Sequence, residues 1–168
     1  MPTKRIALCC VLLSVGPVSA ACVAEGPLDT SRWIFTQHRD FYVHGRDSAV
    51  DSYLSSRLVE LLKRNWACEK ATGGVCAIEA EPWLNAQYGS ALDPIRFQVD
   101  AVTGASAIVR VSYLFGEPSI KEPKAVPAMS KLRFVLDNKS GCWLLDDLFG
   151  RERLSLKTQL ERFPYHGP

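Results

Sequence analysis

The sequence has no strong excess of charge of either sign, and this balance bears on two classes of partner. Its 168 residues include 20 Lys and Arg against 18 Asp and Glu, and no run of five like charges occurs. Domains that bind nucleic acid or anionic membranes carry clustered basic residues. The balance therefore gives no argument for an anionic membrane surface, and we expect no nucleic acid as the partner.

Histidine is scarce, and the common catalytic signatures are absent. The chain has three histidines and no nucleophile elbow, Walker loop, zinc-protease motif or dinucleotide fingerprint. The cysteines form no C-x-x-C pair, so their spacing predicts no metal site. Asp146 and Asp147 are adjacent in a predicted strand, where neighbouring side chains point to opposite faces and cannot act together. The sequence thus predicts a non-enzymatic protein without cofactor or metal.

The sequence also has no apolar run long enough to span a bilayer. Its longest apolar run lies near the amino terminus. Lys4 and Arg5 precede about ten apolar residues, half the length that a bilayer span needs. Small residues then lead to Ala20, which is the layout of a secretory signal peptide. We expect residues 1–20 to be a signal peptide that is cleaved after Ala20. We expect the protein that remains to be periplasmic. The residues before Cys22 also resemble a weak lipoprotein box, so a lipid anchor at Cys22 is the alternative.

Four cysteines follow the predicted leader, and an exported chain can pair them. Cys68 and Cys76 flank a short polar loop with two glycines, which favours a bridge between these two. A second bridge, between Cys22 and Cys142, follows if Cys22 is not lipidated.

Helical patterns dominate the first half of the chain. Apolar spacing predicts a first helix from about Thr30 to Gly45, and a second that Ser55 or Ser56 caps. A short third helix is expected near Pro82, with Trp83 and Leu84 as its packing residues.

Strand patterns dominate the second half. Alternating apolar residues predict strands over 95–101, 107–115 and 132–136, and a hairpin turn at 138–141 predicts a partner strand over 142–148. A last short helix is expected over 154–162. These elements predict an α+β fold in which N-terminal helices pack on a curved antiparallel sheet. The single domain is expected to span 30–163, between a linker at 21–29 and a tail at 164–168.

Two groups of residues are candidates for binding. The loop 117–127 contains three prolines, which reduce the entropy lost when a loop docks on a partner. Its candidate partner-binding residues are Glu117, Ile120, Lys121, Glu122 and Lys124. The alternative is a small-ligand pocket on the concave face of the sheet, formed by Gln98, Asp100, Arg110 and Tyr113. An enzyme with Asp100 as its base is a third, weaker hypothesis.

Several short stretches carry a resemblance to known proteins. They are residues 53–58, 81–87, 131–136 and 142–146, with the hairpin through Phe97 and Val109. Together they resemble the nuclear-transport-factor-2-like, or cystatin-like, cone architecture. More narrowly, they resemble a family of small exported bacterial proteins with a domain of unknown function. That family usually has an Asp where Tyr88 stands here.

The resemblance implies a function in the cell envelope. Some members of this family are similar to periplasmic immunity proteins, which block peptidoglycan amidases delivered by type VI secretion. Others are envelope lipoproteins. The resemblance therefore implies a protein partner, with a cell-wall amidase as the first expectation and an accessory envelope role as the alternative. A homodimer is compatible with this architecture.

Overall fold

A computed structural model describes residues 22–117 and 125–165. The predicted signal peptide and the loop residues Ile120, Lys121, Glu122 and Lys124 lie outside these ranges. The fold is α+β, as the sequence predicts. Within these ranges three α-helices and one short 3-10 helix (Val50–Ser52) accompany a four-stranded antiparallel sheet. In the described part of the chain, no helix is long and apolar enough to cross a membrane.

Helix α1 spans Pro27–Gln37, with proline in its first turn, and begins inside the predicted linker. It ends well before Gly45, where the sequence predicts its end. Two indoles stabilise the turns that stand in place of the predicted continuation. Trp83 Nε1 donates to the Arg39 carbonyl at 3.0 Å, and Trp66 Nε1 donates to the Tyr42 carbonyl at 2.7 Å. These carbonyls are thereby bonded to tryptophans, and the chain after α1 continues as turns.

Helix α2 spans Ser56–Thr72 and has the predicted cap. The Ser55 hydroxyl accepts a hydrogen bond from Leu58 N at 3.2 Å, which satisfies a free donor of the first turn. The helix ends at Gly73, whose φ of 66° lies in the left-handed region that glycine adopts without strain. Its buried stripe includes Leu58, Leu61 and Leu62.

The third helix expected near Pro82 is a closed turn instead. Glu81 N donates to the Ala86 carbonyl at 3.1 Å, and Asn85 N donates to the Glu81 carbonyl at 2.8 Å. Asn85 has a φ of 47°, which takes the backbone out of the right-handed helical region. Trp83 and Leu84 are nevertheless buried, as predicted.

The sheet has the simple order β1-β2-β3-β4, with every neighbouring pair antiparallel. Its strands are longer than the alternation predicts at several ends. They are β1 (Ser90–Thr103), β2 (Ser106–Gly116), β3 (Val126–Leu136) and β4 (Trp143–Phe149). Helix α3, Leu156–Arg162, follows and is capped by Ser155. One face of the sheet carries the helices and the core, and the other, which we call the open face, carries no helix from the described part of the chain.

The two outer strands of the sheet, β1 and β4, differ in what lies beside them. On the outer side of β4, Leu54 bridges Leu145 and Ser155 bridges Phe149. Two hydrogen bonds support the first bridge, from Ser55 N to the Leu145 carbonyl and from Leu145 N to the Tyr53 carbonyl. β1 has no partner strand on its outer side among the described residues.

Both predicted disulfides are present. Cys68–Cys76 joins the end of α2 to the loop after it, and Cys22–Cys142 joins the first described residue to the turn before β4. In this bonded form the Cys22 sulfur is not available to a lipid.

Candidate functional site

The predicted ligand-pocket residues do not share one face of the sheet. Side chains of β2 alternate between buried and half-buried, and Arg110 belongs to the half-buried set on the open face. Gln98 is opposite Arg110 in the ladder and shares that face. Tyr113 belongs to the other alternating set of β2 side chains, and it is buried in the core. The side chain of Tyr113 is thus buried on the other side of the sheet from Gln98 and Arg110, and a pocket formed by all four residues stays a prediction.

Tyr113 has a structural role in the interior. Its hydroxyl donates to the Trp83 carbonyl at 3.0 Å and lies 2.9 Å from the Ser130 hydroxyl. The Ser130 hydroxyl donates to the same carbonyl at 2.6 Å. Burial raises the pKa of Tyr113, so the side chain remains a neutral donor at physiological pH. These bonds attach the 81–86 turn to the sheet.

Asp100 lies on the open face because β1 bulges there. The ladder pairs Val99 with Val109 and then Ala101 with Ile108, which leaves Asp100 as the extra residue. Its carboxylate lies 2.8 Å from the Arg110 guanidinium and 3.6 Å from the Lys131 ammonium. The Asp100 carboxylate is therefore an ion-pair partner of Arg110 and Lys131.

The open face carries shallow apolar grooves with basic borders. One groove, of about 330 Å³, is lined by Ile108, Met129 and Phe149 between Lys131 and Arg153. A second, of about 340 Å³, extends the surface along the sheet. It is lined by Pro94, Arg96, Ser112, Tyr113, Leu114, Pro127, Ala128 and Met129. Because Met129 lines both grooves, they form one continuous surface.

Positive charge predominates on this surface. Arg96 and Arg153 make no ion pair with any residue that the structure describes. Arg110 and Lys131 share the single carboxylate of Asp100. The surface therefore offers uncompensated basic groups beside exposed apolar side chains.

The predicted partner-binding loop begins at the end of this sheet. Glu117 directly follows β2 and lines a further groove of about 270 Å³ with Phe115, Val126 and Arg151. The Arg151 guanidinium stacks over the Phe115 ring at 4.4 Å. Ile120, Lys121, Glu122 and Lys124 lie outside the described residues, so their role stays a prediction.

Asp146 and Asp147 come together, contrary to the expectation from strand alternation. A bulge in the β3–β4 ladder, between Arg133 and Phe134, breaks the alternation there. Both carboxylates consequently lie 3.3 Å from the same guanidinium nitrogen of Arg133. Lys157 and Ser55 each donate to Asp146, at 2.7 and 2.8 Å. This buried cluster joins β3, β4, α2 and α3.

A cleft beside the end of α1 was not predicted from the sequence. It measures about 740 Å³ and is lined by residues 35–41 and 46–49. His38 lies in the middle of the first of these two segments, and the centre of its ring is 3.8 Å from the centre of the Trp33 ring. The periodicity placed His38 inside a helix, and only the early end of α1 brings it to the cleft.

Asp47 holds the imidazole ring of His38 in its orientation. Its Oδ2 lies 2.5 Å from His38 Nδ1 and also accepts a hydrogen bond from the Tyr53 hydroxyl, while Oδ1 accepts from Ala49 N at 2.8 Å. Burial alone would raise the pKa of Asp47, but the bonds from Tyr53, Ala49 and His38 outweigh it and lower the pKa. Burial and the neighbouring carboxylate raise the pKa of Tyr53. The side chain of His38 remains one-fifth exposed.

The chemistry of both regions favours binding by charge and apolar contact. Among the described residues, no group of three His, Cys, Asp or Glu side chains is placed to hold a metal ion. No protein-family model matches the chain, and no curated protein sequence matches it.

Proposed function

We propose that the protein is a non-enzymatic binding protein of the bacterial envelope, and that it acts as an immunity protein against a peptidoglycan amidase. The observation that carries the proposal is the open face, where apolar grooves with uncompensated basic borders have no covering element among the described residues. A surface of this kind suits a partner with an apolar centre and an acidic rim.

Met129 is the central apolar contact of this surface. It is 38 % exposed and lines both grooves, although it lies in the middle of β3. Methionine adapts its shape to a partner surface, which makes it common at binding sites. In this proposal Met129, Ile108 and Phe149 form the buried centre of the interface.

The basic residues form the border. Arg96 and Arg153 line different grooves and have no ion-pair partner in the described part of the chain. In the complex they pair with acidic groups of the amidase, which increases the association rate and selects the partner. The adjoining loop, with Ile120 as anchor, enters the active-site cleft of the amidase in this proposal.

The disulfides are compatible with the location that the proposal requires. Two bonded pairs within one domain suit an oxidising compartment outside the cytoplasm.

The test is binding and inhibition by the protein purified from periplasm. The oxidised protein is mixed with amidases from periplasmic extract, and binding and peptidoglycan hydrolysis are measured. We expect a stoichiometric complex with one amidase and loss of its hydrolysis. Met129→Asp should weaken binding by at least about tenfold, because it buries a charge at the centre of the interface.

A matched control separates the surface from general effects. Arg162→Glu also introduces a carboxylate, on the exposed last turn of α3; it changes the net charge by two units against one for Met129→Asp and should still leave affinity within about twofold. The proposal fails if no amidase is bound, or if bound amidase keeps full activity. It also fails if Met129→Asp and Arg162→Glu bind equally well while both remain folded by circular dichroism.

A further inference from the structure

The cleft beside α1 contains two charged groups that the fold leaves unused. Arg46 and Asp40 both line it and are exposed. Neither makes a hydrogen bond or ion pair through its side chain with any residue in the described ranges. By contrast, Arg39 in the same cleft is already engaged, since its Nε donates to Glu81 at 3.1 Å. The cleft thus offers one cation and one anion to a ligand.

His38 adds a third polar group whose orientation is fixed. The contact of Nδ1 with Asp47 and the stacking on Trp33 hold the ring on two sides. A histidine whose Nδ1 is bonded to a carboxylate presents Nε2 as its remaining polar atom. Both oxygens of Asp47 are occupied by groups of the protein, so this carboxylate does not compete for a ligand's cation.

We propose that this cleft binds a small zwitterion of the amino-acid type. Arg46 binds its carboxylate, while Asp40 and the Nε2 atom of His38 accept hydrogen bonds from its ammonium group. A guanidinium matches the two oxygens of a carboxylate with parallel hydrogen bonds. Phe35, which is 7 % exposed, supplies a small apolar part of the wall.

Charge separates this ligand class from a phosphate. The Asp40 carboxylate makes no ion pair with any described residue, and it repels a multiply charged anion more than a carboxylate that carries its own ammonium. A ligand with both charges satisfies Arg46 and Asp40 together. The cleft shares no lining residue with the open-face grooves, so this site is independent of the proposed amidase surface.

The test is a nuclear magnetic resonance titration of the oxidised protein purified from periplasm. L-Alanine is the probe, and acetate, methylammonium and inorganic phosphate are the comparison probes. The imidazole signals of His38 and the Nε–H signal of Arg46 are followed. We expect saturable shifts with L-alanine and affinity for acetate that is at least about fivefold lower, because acetate cannot pair with Asp40.

Two substitutions assign the charges. Arg46→Gln should weaken L-alanine binding at least about fivefold, whereas Arg162→Gln, an exposed arginine outside the cleft, should change it less than about twofold. Asp40→Asn should remove the preference for L-alanine over acetate. The proposal is overturned if L-alanine gives no saturable shift or Arg46→Gln binds normally. It is also overturned if phosphate binds as tightly as L-alanine.

Discussion

At the scale of single residues, the buried carboxylates have internal roles. Asp146 and Asp147 are both buried, yet each has several donors around it. A buried charge is tolerated when it is paired and hydrogen-bonded, and its loss then leaves the partners unpaired. Burial alone would raise the pKa of Asp146, but the bonds from Lys157 and Ser55 and the charge of Arg133 lower it.

This lowered pKa predicts a loss of stability in acid. A carboxyl whose folded-state pKa lies below its unfolded value stabilises the fold above that value, and the contribution disappears as the pH falls through the folded-state pKa. Asp146→Asn should therefore reduce the free energy of unfolding by about 1–3 kcal/mol at pH 7, and the reduction should shrink progressively as the pH falls below the unfolded-state pKa of about 4. Urea unfolding at pH 7, 5 and 3 measures this.

The exposed Asp51 provides the control. Asp51→Asn removes a carboxylate that is 70 % exposed and should change the free energy of unfolding by less than about 0.5 kcal/mol at each pH. An effect of Asp146→Asn that is the same at pH 7 and pH 3 would contradict the assignment of ionic bonds to this side chain.

At the scale of elements, the sequence predicts those features whose causes are local. The cap at Ser55, the alternation in β2 and the turn before β4 all depend on residues within a few positions. The end of α1 depends instead on Trp66 and Trp83, which are distant in sequence. The bulges at Asp100 and Asp146 likewise follow from pairing with another strand, so alternation alone cannot place them.

The 81–86 turn predicts a specific packing requirement at Gly150. A Cβ at this position would lie 2.3 Å from the Pro82 carbonyl oxygen, a backbone atom that cannot rotate away. We expect Gly150→Ala to lower the free energy of unfolding by about 1–3 kcal/mol, because the turn must shift from β4. Urea unfolding at neutral pH measures the change.

Gly74 is the matched control for Gly150. A Cβ there meets its nearest atom, the Thr72 hydroxyl oxygen, at 3.9 Å, an ordinary contact. Gly74→Ala should change the free energy of unfolding by less than about 0.5 kcal/mol. Equal effects of the two substitutions would mean that the Pro82 carbonyl does not pack against Gly150.

At the scale of the whole molecule, the α+β class and both disulfides were predictable, but the site was only partly so. Gln98, Asp100 and Arg110 lie on the open face, whereas Tyr113 does not. The uncompensated charge of Arg96 and Arg153 could not be predicted, since it depends on which carboxylates come near. The cleft around His38 was missed because a helix through residue 45 would have placed Asp47 elsewhere.

The two disulfides should differ in their contribution to stability. Cys22–Cys142 closes a loop of 120 residues and Cys68–Cys76 one of 8. Chain entropy in the unfolded state predicts about 5 kcal/mol for the long loop and about 2.5 kcal/mol for the short one. The double variants Cys22→Ser/Cys142→Ser and Cys68→Ser/Cys76→Ser, compared by urea unfolding, measure both. A larger loss from the short loop would contradict the loop-length argument.

The short bridges on the outer side of β4 limit how the sheet can grow. Leu54 and Ser155 occupy that border, so an added strand from another molecule has no continuous row of backbone groups to join. β1 is the border without a partner strand in the described ranges. If two copies pair through their β1 strands about a twofold axis, the β4 border of each copy, which is blocked by the bridges, faces outward. Strand addition then ends at a pair and cannot propagate into a fibre.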